Sequence, residues 1–143
     1  MRHFPTSISA LLAALLIGAA ATAPAAEADA DIALQQAPYL RGSVQSIASS
    51  AGYAAGDVEV TSAVHQVTVT VINSKLNARG AAARESEALR IADALSASIA
   101  GIAPFSQVLV IHVDYVERAG ARADAVQRLD FYKGPGGFLP HKT

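Results

Sequence analysis

The sequence predicts an α+β two-layer sandwich, with two helices packed on one face of a small mixed sheet of three to four strands, in the order α-β(β)-α-β-β. Three observations carry this reading. Two stretches, ending near Ala51 and Ala100, space their apolar residues three and four apart, the period of a helix. Three others, rich in valine and lying between Val58 and Tyr132, alternate apolar with polar residues, the period of a strand. One helix lies between strands, so a right-handed crossover is expected if those strands are parallel.

The chain begins with a segment that does not belong to this fold. Arg2 precedes an uncharged apolar run from Ile8 to Ala21, and small residues follow up to Ala28. A basic start, a short apolar middle and an A-x-A-like end form the pattern of a secretory signal. Residues 1–28 are read as that signal, with cleavage after Ala25 or Ala28. A membrane-spanning helix needs about 20 apolar residues, more than this run supplies. The expected location is therefore the periplasm or the exterior, without stable membrane insertion once the signal is removed.

Residues 29–37 are polar and alanine-rich and read as a flexible lead-in. Pro38 then suits the first turn of a helix. Leu40, Val44, Ile47, Ala48 and Ala51 form one apolar stripe, and Gly52 can close the helix. The strand signal follows. Val58, Val60, Ser62 and Val64 fall on even positions, whereas Val67, Val69 and Val71 fall on odd ones. A single flat strand cannot exchange faces in this way. Either a hairpin turns near Ala63 to Gln66, or one long strand bends at a bulge. The absence of Gly, Asn or Asp from the turn favours the bent strand slightly.

Asn73 to Gly80 reads as a loop and Ala81 to Ala100 as a helix. The expected buried face is Ala88, Ala92, Leu95, Ile99 and Ile102, flanked by Leu89. Arg84, Glu87, Arg90 and Asp93 are expected on the remaining surface as opposite-charge pairs three apart. Gly101 and Pro104 end the helix. Gln107 to Val116 is the next strand, with Leu109, Ile111, Val113 and Tyr115 on one face. Val126 to Tyr132 is the last strand, Gly134 to Gly137 end regular structure, and residues 134–143 read as a flexible tail. The folded domain is thus expected over residues 38–133.

The last two strands can be set in register from their charges. If Leu129 and Phe131 share a face with Ile111 and Val113, one register pairs Val110 with Tyr132, His112 with Asp130, Asp114 with Arg128, Val116 with Val126 and Arg118 with Asp124. A slide of two residues sets His112 against Arg128 or Asp114 against Asp130. Cross-strand pairs are worth only about 0.2–1 kcal/mol each, but three favourable pairs choose the first register.

Composition excludes several functions. The chain holds no cysteine, which rules out disulfides, thiol catalysis and cysteine-ligated zinc. With 11 Lys+Arg against 12 Asp+Glu it is nearly neutral, so electrostatic binding to nucleic acid is not expected. Once the signal is removed about 115 residues remain, enough for one domain with its own core. No serine lies in a G-x-S-x-G elbow, and the glycines Gly134, Gly136 and Gly137 lack the Lys-Ser/Thr and helix of a phosphate loop. No cofactor, catalytic set or metal site is expected.

The candidate binding residues are His112, Asp114, Arg128 and Asp130 on one sheet face, together with His65 where the apolar parity switches. Those four could contact an anion, sugar or metal. The plain structural reading is a solvated face held by cross-strand ion pairs, which are common and weak. His65 is either a pH-sensitive or ligand-contacting group at a bulge or a residue that simply occupies a kink. The order of elements resembles that of the BON domains of bacterial envelope proteins. The resemblance is one of topology, lacks a glycine-centred turn at Ala63 to Gln66, and implies no residue roles. The functional expectation is a non-enzymatic secreted or periplasmic module that binds another protein or an envelope component. The alternative is a small metal- or ligand-binding protein or enzyme using His112, Asp114 and Asp130.

Overall fold

The structure, a computed structural model, describes residues 24–141, so the apolar run of the predicted signal lies outside the described residues. Its elements are α1 (Pro24–Ala51), β1 (Val58–Ala63), β2 (Gln66–Ile72), α2 (Ala81–Ile99), β3 (Val110–Ala119), β4 (Arg122–Gly134) and β5 (Gly137–Pro140), with short 3-10 turns at Ala55–Asp57 and Ala103–Phe105. The strands form one sheet in the order β1-β2-β3-β4-β5, parallel only between β2 and β3 and antiparallel elsewhere. The α+β class and the mixed sheet follow the sequence expectation, with five strands rather than three or four.

The extra strands explain two misreadings. The parity switch marks a hairpin and not a bent strand: Ala63 pairs with Gln66, and only Val64 and His65 lie between the strands. A two-residue loop sets even residues of one strand opposite odd residues of the next, so Val58 and Val60 share a face with Val71 and Val69. Neither loop residue has positive φ, so the turn does not draw on the usual Asn-Gly chemistry. It is held from outside, because the backbone N–H groups of Leu109 and Val110 both donate to the His65 carbonyl, at 2.8 and 3.1 Å. The supposed tail also pairs. Gly134 and Gly137 close a second hairpin, Gly137 at φ 129° takes a conformation that suits glycine, and Phe138 is buried.

Helix α1 starts earlier than expected, so residues 29–37 are helical and Pro38 lies inside the helix. An interior proline removes one helical hydrogen bond and crowds the preceding turn. Packing on both sides of Pro38 offsets this. Gln36 is fully buried and donates to the Pro104 carbonyl at 2.8 Å, and Tyr39 meets Phe105 edge to face at 6.2 Å. Gly52 and Gly101, at φ 76° and 73°, end the two helices as the sequence suggests.

Both helices cover the same side of the sheet. There Val58, Val67, Val69, Val71, Ile111, Val113, Tyr115 and Phe131 meet Ile47 and Ala48 of α1 and Ala88, Ile91, Ala92, Leu95 and Ile99 of α2. Every one of these side chains is less than 10% exposed. The other side of the sheet carries no layer among the described residues.

The predicted register holds from Val110↔Tyr132 through Tyr115↔Gln127, including His112↔Asp130 and Asp114↔Arg128. Beyond it, Val126 is an extra residue and the register shifts, so Val116 faces Ala125 and Arg118 faces Ala123. The expected Val116–Val126 and Arg118–Asp124 pairs are therefore absent. The end of β3 is held from its other side instead. Asn73 accepts from the Arg118 N–H at 2.7 Å and donates to the Arg118 carbonyl at 3.1 Å, while the Arg118 guanidinium reaches Glu59 at 2.8 Å.

Candidate functional site

The strand pairings align outward-facing residues in rows across the open face. Thr61, Thr68, His112 and Asp130 form one row, and Glu59, Thr70, Asp114 and Arg128 the next. His112 and Asp130 meet at 2.7 Å through Nδ1, which therefore donates to the carboxylate. The His112 Nε2 lies 3.4 Å from the Gln66 side-chain oxygen. Arg128 grips Asp114 with two parallel bonds of 2.7 Å, a bidentate match of guanidinium to carboxylate. The hydrogen bond to Asp114 holds the Arg128 pKa above its ordinary value. In the same way the hydrogen bond from Arg118 lowers that of Glu59.

The structure thus brings four of the five predicted residues together, as two separate pairs. His65 is not among them. It sits at the tip of the β1–β2 hairpin and donates from Nδ1 to the Gln107 carbonyl at 3.1 Å, which pins the turn to the start of β3. Among the described residues no group of three His, Asp or Glu side chains is placed to hold a metal ion. Asp114 is occupied by Arg128, so His112, Asp114 and Asp130 do not converge on a common point. The face presents hydroxyl and amide groups beside two internally compensated charged pairs.

Arg128 is 59% exposed although Asp114 is only 18% exposed, so water competes for the guanidinium and the pair should contribute little to stability. A double-mutant cycle on Asp114→Ala and Arg128→Ala, read from urea unfolding, is expected to give a coupling below about 1 kcal/mol. A coupling above about 2 kcal/mol would show the pair to be a structural anchor instead.

A second polar group is hidden beneath the sheet, and the sequence reading placed its two charged members on the surface. Arg84 and Glu87 of α2 are in fact buried. They follow the apolar stripe: Arg84 lies one turn before Ala88, and Glu87 one turn before Ile91. One Glu87 oxygen accepts from the Tyr53 hydroxyl at 2.6 Å and from the Tyr115 hydroxyl at 3.0 Å. Tyr53 also meets Ser74 at 2.6 Å, and the Ser74 hydroxyl accepts the Leu76 N–H at 3.1 Å. Arg84 donates to the Gln127 side chain at 2.6 Å and to the carbonyls of Leu76, Asn77 and Arg79. This guanidinium fixes the β2–α2 loop by its backbone. The cluster links α1's exit, the loop, α2, β3 and β4, with its hydrogen-bonding groups turned on one another.

Burial raises the pKa of Tyr53 to about 12, reinforced by its bond to Glu87, and burial beside Glu87 raises that of Tyr115 further. In the unfolded chain both tyrosines ionise near 10. The native state then holds more protons than the unfolded state above that pH, so stability falls as pH rises from about 10 through 12. Urea midpoints measured across this range should decline more steeply for the wild type than for a Tyr53→Phe/Tyr115→Phe variant. Equal slopes would contradict the assignment.

No family model, curated protein or solved structure matches the chain.

Proposed function

We propose that the mature chain is an exported, non-catalytic module that binds another protein or an envelope component through the open face of its sheet. One observation carries the reading: both helices lie on one side of the five-stranded sheet, which leaves a polar face of ordered strands uncovered among the described residues. Such a face offers a rigid array of side chains at fixed spacing, and among the described residues β1 has no strand partner along its outer edge. The polar groups on the face are satisfied in cross-strand pairs, an arrangement that suits surface complementarity better than proton transfer. Export rests on the basic start, apolar run and small-residue end of residues 1–28. Cleavage after Ala25 or Ala28 falls in the first turns of α1, where Glu27 and Ala28 are exposed, and burial begins only further along the helix.

Two measurements test this reading. The mass of the chain recovered from the native envelope fraction should correspond to a start at Ala26 or Asp29. An intact chain among the cytosolic proteins would contradict export. Tagged wild-type protein should also retain a partner that is lost when Thr68 and Thr70 are both replaced by arginine, provided that far-UV circular dichroism and the urea midpoint are unchanged. A partner retained equally by both proteins would place the contact elsewhere.

A further inference from the structure

We draw no further inference here: the strongest candidate, the open groove between α2 and β4, lined by Glu85, Leu89, Gln127 and Leu129 beside the end of β5, carries nothing because nothing in the structure shows what covers it.

Discussion

Arg84→Ala is expected to destabilise the fold by about 3–5 kcal/mol, because it leaves several neutral acceptors without their charged donor, at about 1–3 kcal/mol for each that stays buried and unsatisfied. The side chain is only 9% exposed, yet it satisfies three backbone carbonyls and the Gln127 side chain. Hydrogen bonds from a charged donor are worth about 1.5–3 kcal/mol each. Their sum overstates the loss, because the Arg79 end of the loop is exposed and water can replace part of the network. Arg84→Lys should be intermediate: it keeps the charge but gives up the planar fork that reaches Gln127 and the loop together. Urea unfolding measures both. With a slope of about 1–3 kcal/mol per molar, the alanine variant should lose more than a molar in its midpoint. A loss below about 1 kcal/mol would mean that the loop does not depend on this side chain.

Glu87→Ala is the second large effect, expected at about 2–3 kcal/mol. It removes the shared acceptor of two tyrosine hydroxyls and leaves a space beneath α2. Each hydroxyl has a second partner within reach: Tyr53 meets Ser74, and the Tyr115 proton can turn fully to the Arg84 carbonyl at 3.2 Å. The cost therefore stays below that of orphaning both groups outright, which runs to about 1–3 kcal/mol apiece. Glu87→Gln retains a side-chain oxygen at the same reach and should cost less than about 1 kcal/mol. If glutamine proves as damaging as alanine, the carboxylate charge matters more than its acceptor oxygen, and the hydrogen-bonding account of the cluster fails.

The sheet face was legible in the sequence because cross-strand pairing is a local rule. Once Leu129 and Phe131 were required to share a face with Ile111 and Val113, the charges of His112, Asp114, Arg128 and Asp130 fixed the register. The expected register ends at Val126, opposite the Tyr115–Val116 step, and beyond it the end of β3 is held by Asn73, 45 residues from Arg118 in sequence. The β1–β2 hairpin likewise depends on distant residues. Its turn is stabilised by Leu109 and Val110, and no residue within the turn announces that. The parity switch alone did carry the signal, since a two-residue loop produces such an exchange of faces.

The buried cluster was missed because charged residues on a helix are assigned outward by default. Arg84 lies one turn before Ala88, inside the expected stripe, and only its charge argues for the surface, whereas Glu87 joins the buried arc through Ile91, one turn further on. Tyr115 offered a second clue: a tyrosine on the inward face of an interior strand needs a polar partner for its hydroxyl. The early start of α1 was not legible, since Pro38 argues against it locally and the contacts of Gln36 and Tyr39 that support it come from the turn after α2.

The claim on which the functional account turns is that the uncovered side of the sheet is the contact surface. A photoreactive residue placed at Thr68, with a control at Asp93 on the exposed side of α2, tests it in the native envelope. The account predicts a discrete cross-linked species from position 68 and none from position 93. Adducts from position 93 alone, or from neither position while the protein remains bound in its complex, would contradict it.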